Sequence, residues 1–250
     1  MQIIALPHIP LIQTDDDLSD IILAAAQAID LTLADDDIIV TAQKIISKAE
    51  GQWVKLADVT PSERALELAA TTGKPAALIE VILWDTATVI RAVPGLLIVE
   101  HKQGFISANA GIDHSNVSGE PDMLLRLPVD PDASARALRA SINRRAGVSP
   151  PVLIIDSHGR PWRFGTVGVT IGLSGLAPVQ DLRGTPDLFD EPLAHTDVGF
   201  TDQIAAAASL VMGQAAEGCP VAVVRGLPFE IDETARAADV LRPKQKDLFR

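Results

Sequence analysis

The chain has 250 residues, a mass of 26.5 kDa and 47% hydrophobic residues, enough to fill the core of one large domain or two intimate subdomains. A formal charge of −12 provides no basic face for phosphodiesters, and 4% aromatics without tyrosine offer few platforms for stacked bases, so nucleic acid is not expected as a partner. The single cysteine, Cys219, excludes an internal disulfide and a thiolate zinc cage and agrees with a reducing compartment.

The first stretch, "MQIIALPHIPLIQTDDD", has no basic leader and is broken by Pro7 and Pro10, so it does not read as a signal peptide. "DDLSDIILAAAQAI" (16–29) repeats apolar residues at helical spacing behind Asp16 or Asp17 as cap, and "DDIIVTA" (36–42) reads as a short buried strand. "QKIISKAEG" (43–51) follows it and, if helical, sets Lys44 and Lys48 on one side. "TPSERALELAATTG" (60–73) predicts a helix capped by Thr60, with Pro61 at its first position and Gly73 past its end; "KPAALIEVILWD" (74–85) predicts another. "TATVIRA" (86–92) and "GLLIVEH" (95–101) are strand-like, and "DASARALRASINRRAG" (132–147) predicts a helix capped by Asp132 and closed by Gly147. "PPVLIIDSHGRPWRFGTVGVTIGLSG" (150–175) reads as a strand running into a glycine-rich loop, "TDQIAAAASLVMGQAAEG" (201–218) as a helix ending in glycine, and "CPVAVVRG" (219–226) as a strand. The tail, 241–250, is polar and basic and reads as a flexible end. Strands and helices alternate without a βαβ rhythm, which predicts an α+β class, a mixed sheet with flanking helices, rather than a Rossmann fold. The apolar stretches fall well short of the ~20 residues that span a bilayer, so no membrane partner and a cytoplasmic location are expected.

The chain lacks a P-loop, a G-x-G-x-x-G after a strand, a G-x-S-x-G elbow and an H-E-x-x-H pair. Polar clusters stand instead where apolar segments stop. Asp113 and Asn116 follow the strand-like "GFISAN" (104–109). Asp156 closes "PPVLII" and is followed by Ser157, Arg160, Trp162 and Arg163. A carboxylate beside a hydroxyl suits Mg2+ or Mn2+, and arginines fork onto carboxylates or phosphates. The plain alternatives are a polar turn at 113–116, an Asx-turn with an internal salt bridge at 156–163, and solvated lysines. Taken together, two Asp-bearing turns, a lysine pair and an arginine pair suggest metals and cations gathering a very anionic ligand, as phosphoryl transfer requires.

"ISKAEG" (46–51), "PSERA" (61–65), "GKPA" (73–76), "NAGIDHSNV" (109–117), "LPVDPDASA" (127–135), "IIDSHGRPWRFGTVGVTIGLSG" (154–175) and "VVRG" (223–226) occur in an order that resembles the coenzyme F420-0:gamma-glutamyl ligase family. The resemblance runs from "IPLI" (9–12) to about Gly226. It implies a mixed α/β fold without a P-loop, a homodimer, and use of GTP with Mg2+ or Mn2+, two per site. The reaction it implies attaches L-glutamate to F420-0 through an acyl phosphate, releasing GDP and phosphate. Carried onto this chain, it implies that Asp113 and Asp156 ligate one metal, with Ser157 and Gln214 at a second. Ile9, Pro10, Leu11, Ile12, Gln43, Lys44, Lys48 and Asn116, with the turn Met212, Gly213, Gln214, Ala215, Ala216, Glu217, Gly218 and Cys219, would line the GTP site. Arg160 and Arg163 are assigned on their charge to the acidic substrate, alongside Asp113 and Asp156 in the chemistry. Two positions depart from the pattern: Ser157 stands where relatives often have threonine, and Gln214 where some have glutamate. The bifunctional relatives carry an added reductase domain, so 1–250 reads as a single stand-alone unit. Another glutamyl acceptor such as a folate, and a nucleotide- or metal-binding homologue without turnover, remain as alternatives.

Overall fold

The apolar runs at 38–40, 152–155 and 221–224 become neighbouring strands, and their alternation sends side chains into two different helical layers. The computed structural model describes residues 1–248. Its elements are β1 (Gln2–Ala5), α1 (Leu18–Gln27), β2 (Ile38–Ala42), α2 (Gln43–Ala49), β3 (Trp53–Lys55), α3 (Glu63–Thr72), α4 (Ala76–Trp84), β4 (Thr86–Val93), β5 (Leu96–His101), β6 (Ile106–Ala108), β7 (Met123–Leu125), α5 (Pro131–Ala146), β8 (Val152–Arg160), β9 (Arg163–Ser174), β10 (Val179–Asp181), β11 (Asp197–Gly199), α6 (Phe200–Met212) and β12 (Val221–Arg225). The fold is α+β, as the pattern of elements predicts.

The main sheet has the order β1-β12-β2-β8-β9. Only β2 and β8 run parallel, from Ile39 opposite Val152 to Ala42 opposite Ile155. Parallel neighbours need a long crossover, and here everything from α2 to α5 fills it. Ile39, Val152, Ile154, Val221 and Val223 face one layer with Ile22 of α1 and Leu138 and Ile142 of α5. Ile38, Val40, Leu153, Ile155, Ala222 and Val224 face the other, with Ile204, Ala205 and Ala208 of α6. Strands covered on both faces read as unbroken apolar runs, which is why these segments stand out in the sequence. A second core, with Leu68 of α3, Ile79 and Ile82 of α4, and Leu97 and Val99 of β5, lies within the crossover against the sheet β4-β5-β6. Among the described residues no helix is long and apolar enough to cross a membrane.

Several boundaries differ from the sequence expectations. The segment 150–175 is a hairpin, β8 and β9, rather than a strand and a loop, and Asp156 lies within β8 instead of ending it. Its glycines permit contact: a Cβ on Gly172 would sit 2.5 Å from the Pro131 Cβ, so glycine lets α5 press onto β9. Ser62, not Thr60, caps α3, its hydroxyl accepting from the Ala65 N–H at 3.2 Å, and Pro61 precedes the helix. Asp130, not Asp132, caps α5, with Pro131 in the first turn. Asp132 instead accepts from the Leu173 N–H at 2.8 Å, joining α5 to β9. Helix α6 stops at Met212, so 213–218 is a turn and not a helical end. In the tail, Leu241 packs against the α1–α5 layer and Lys244 Nζ lies 2.5 Å from Glu100 Oε1; Phe249 and Arg250 fall outside the described residues.

Candidate active site

Strand β2 stops at Ala42, opposite Ile155, while β8 continues to Arg160 paired with β9. Ligand sites in sheets with parallel neighbours collect beyond the carboxyl ends of the strands. A cleft of about 600 Å³ opens here, lined by the 9–12 loop, α2, the 111–116 turn, Asp156 and Ser157, and the 212–220 turn.

Asp113 is fixed to β7 through its backbone, its N–H donating to Leu125 O at 2.9 Å and its carbonyl accepting from the Leu125 N–H at 3.0 Å. Its Oδ2 accepts from Gln43 Nε2, and Lys44 Nζ lies 3.3 Å from Oδ1. Gln43 is buried, and its own amide oxygen accepts from Ser47 Oγ at 2.8 Å, one helical turn along α2. Ser47 thereby sets which face of the amide meets Asp113. Burial pushes the Asp113 carboxyl up to about 6; Lys44 opposes that push, and the charge of Asp156 adds to it. A partly desolvated carboxylate that feels a second one is stabilised by a cation placed between them.

The two lysines of α2 hold the neighbouring turn. Lys44 Nζ donates to Ser115 O at 2.9 Å and Lys48 Nζ to Asn116 O at 3.0 Å. Lys48 also lies over the Trp53 ring, 5.7 Å from its centre. Burial and then the charge of Lys44 lower its pKa, while Asp113 pulls the other way. Asn116 donates from Nδ2 to Ala215 O at 2.8 Å, joining this turn to the one after α6. That second turn begins at Gly213, at φ 76° and ψ 179°, where a Cβ would meet the Glu217 side chain at 2.2 Å. Ser157 Oγ donates to Gln214 Oε1 at 2.7 Å and ties the turn to β8.

Among the described residues no three of His, Cys, Asp and Glu form a ready-made metal cage. Oxygen donors that line the cleft include the carboxylates of Asp113 and Asp156, the Ser157 hydroxyl and the Gln214 carboxamide; a third carboxylate, Glu217, accepts from the Ala215 N–H within its own turn. All are hard oxygen ligands. One or two carboxylates, completed by water and substrate phosphate, is the set that Mg2+ and Mn2+ take, and it is a poor one for zinc.

Ile9, Pro10, Leu11, Ile12, Gln43, Lys44, Lys48, Asn116 and every residue from Met212 to Cys219 line this one cleft, together with Asp113, Asp156 and Ser157. Ile12 and Met212 do so from within the buried layers. Arg160 and Arg163 do not line it. They face each other at the far end of the β8–β9 hairpin, about 13 Å along the strand from Asp156 at ~3.3 Å per residue. Sequence reasoning missed Ser47, which its spacing of four from Gln43 signals, and Ser209, a lining residue on α6 with no local signal.

A model of the family described as F420-0:Gamma-glutamyl ligase matches residues 7–226. The Coenzyme F420:L-glutamate ligase of Methanothermobacter thermautotrophicus is 40% identical over 251 residues, covering 100% of this chain and 99% of that protein. The protein of the same name from Methanopyrus kandleri is 40% identical over 242 residues, 96% of this chain and 93% of its own. That from Methanocaldococcus jannaschii is 40% identical over 220 residues, 87% of this chain and 86% of its own. The match takes in α2, both Asp-bearing segments and the turn after α6, and the chain belongs to the F420-0:gamma-glutamyl ligase family.

Proposed function

We propose that this chain is a GTP-dependent ligase that joins L-glutamate to F420-0, extending its γ-linked glutamyl tail and releasing GDP and phosphate. The observation that carries the reading is one cleft in which Asp113 and Asp156, from separate segments, converge with Lys44 and Lys48. The names of the family and of the relatives supply the acceptor and the amino acid.

Asp113 and Asp156 are proposed to hold one divalent cation, Mg2+ or Mn2+, and Ser157 with Gln214 a second. When bound, such ions neutralise the triphosphate and the phosphoryl group in transfer. Lys44 and Lys48, anchored by the backbone oxygens of Ser115 and Asn116, add positive charge to the same wall. The 9–12 loop and the 212–219 turn enclose the nucleotide. The terminal carboxylate of the acceptor attacks the γ-phosphorus; the bridging bond breaks and GDP leaves with its electron pair. The amine of L-glutamate then attacks the acyl carbon of the resulting acyl phosphate, loses a proton and expels phosphate. The protein contributes charge neutralisation and alignment of three anionic reactants, with no covalent bond to a side chain. Arg160 and Arg163 are proposed to meet the acidic substrates beyond the cleft. A homodimer is proposed as well, and Trp162 and Phe164, exposed near the hairpin tip, support a partner surface there.

The test is mass spectrometry of products from F420-0, L-glutamate, GTP and Mn2+, with each omitted in turn. Glutamyl addition with matching GDP and phosphate, only when all four are present, is expected. GTP turnover at full rate without glutamate contradicts the ligase reading. Parallel reactions with ATP and with a folate monoglutamate test nucleotide and acceptor, and elongation of the folate alone moves the acceptor assignment.

A further inference from the structure

Asp156 and His158 are two residues apart on β8, so their side chains share one face of the strand. The imidazole Nε2 lies 3.0 Å from Asp156 Oδ2, and both side chains are nearly enclosed, at 10% and 14% exposure. An ionised carboxylate has no hydrogen to give, so the hydrogen between them sits on Nε2. Two rings stand behind this imidazole. Phe105 lies tilted against it with centroids 5.2 Å apart, and His101 stacks on Phe105 at 4.7 Å and 5°. His101 Nδ1 in turn accepts from the Gln103 N–H at 3.1 Å.

Across the cleft Asp113 is treated the same way: Gln43, itself oriented by Ser47, donates to its Oδ2. Each carboxylate proposed to hold the cation therefore has one oxygen occupied by a buried N–H from a side chain the core has locked. We infer that His158 is a positioning residue for Asp156. Its Nε2–H engages Oδ2, fixes the carboxylate plane and leaves Oδ1 as the oxygen offered to the divalent cation. Donors behind metal-binding side chains commonly change affinity by about 10–100-fold when removed. The inference rests on the proposed role of Asp156.

The test measures Mn2+ binding by electron paramagnetic resonance, without nucleotide or turnover, in wild type and in His158→Gln, His158→Phe, His158→Asn and Asp156→Asn. Glutamine can place an amide N–H where Nε2 stands, whereas phenylalanine keeps the ring and loses the donor. Asparagine is too short to reach Oδ2, and it answers the question if phenylalanine disturbs the stack. His158→Gln is expected to keep wild-type affinity within about threefold, and the other two histidine variants to lose about 10–100-fold. Unchanged affinity in His158→Phe and His158→Asn overturns the inference, as does an equal loss in His158→Gln. Unchanged affinity in Asp156→Asn instead overturns the metal assignment beneath it; loss there without loss in the histidine variants removes the role of His158 alone.

Discussion

Residues 152–155 and 156–160 belong to the same strand, yet β8 changes character midway. In the first half β2 runs alongside and both helical layers cover the faces, so Val152, Leu153, Ile154 and Ile155 are all buried. In the second half β2 has ended, and among the described residues Asp156, Ser157 and His158 stand on a strand paired only with β9. The backbone is continuous and the alternation does not change; the neighbours do. The apolar half supplies stability, and the polar half inherits its rigidity and its directions, Asp156 toward the Phe105 side and Ser157 toward the turn after α6. The candidate site begins where the parallel ladder stops.

The sharpest separation comes from paired substitutions. Asp156→Asn in the polar half, and Asp113→Asn opposite it, are expected to lower kcat/KM for glutamyl transfer by at least ~100-fold while leaving a folded protein. Steady-state kinetics beside thermal melts check this, and wild-type rates in both variants would remove the metal assignment. Ile154→Ala in the apolar half should do the reverse. It removes a fully buried side chain and is expected to cost about 2–5 kcal/mol of stability, read by denaturant unfolding, while the folded fraction keeps its kinetic constants.

Smaller effects probe how the carboxylates are held. Ser47→Ala leaves Gln43 Oε1 without its donor and is expected to weaken Mn2+ binding about tenfold, with little change in melting temperature. A calorimetric titration that shows unchanged affinity would mean that the amide needs no orienting partner. The pH dependence follows from Asp113, whose carboxyl stands at about 6 in the fold against an ordinary 3.8. Between those values the native metal-free state binds more protons than the unfolded state, so its stability falls as pH rises from about 4 to about 6. Metal needs the ionised form, so Mn2+ affinity rises over the same window and binding near its lower end releases a proton. Melts with and without Mn2+ across that range should show opposite slopes from this group; parallel slopes would place the metal elsewhere.

Much of the scaffold is legible in the sequence because two-sided burial writes unbroken apolar runs at 38–40, 152–155 and 221–224. Helix ends were legible to within a turn except at α6, which stops at Met212 rather than running to Gly218. "DPD" at 130–132 offers two aspartates that could cap α5, and only the tertiary contact of Asp132 with Leu173 decides between them. The β8–β9 hairpin was hidden because Gly172 reads as a loop residue, while its reason is the approach of α5. In the candidate site, Asp113, Asn116, Asp156 and the two lysines could be singled out as polar groups where apolar segments stop. The nucleotide-lining assignments at 9–12 and 212–219 came from family resemblance, since nothing local in those apolar and small residues signals a cleft. His158 is a neighbour two residues from Asp156, but its value depends on Phe105, which sits 53 residues earlier in the chain.

Asp113 and Asp156, carried by different segments, are proposed to hold one divalent cation jointly, in the cleft proposed for the nucleotide. Anomalous diffraction at the manganese edge, from crystals grown with Mn2+ and GDP, tests it directly. A manganese peak is expected about 2.1 Å from a carboxylate oxygen of each aspartate, with the diphosphate in the same cleft beside Lys44 and Lys48. A peak that touches neither aspartate, or a nucleotide seated at Arg160 and Arg163 on the hairpin end, would contradict it.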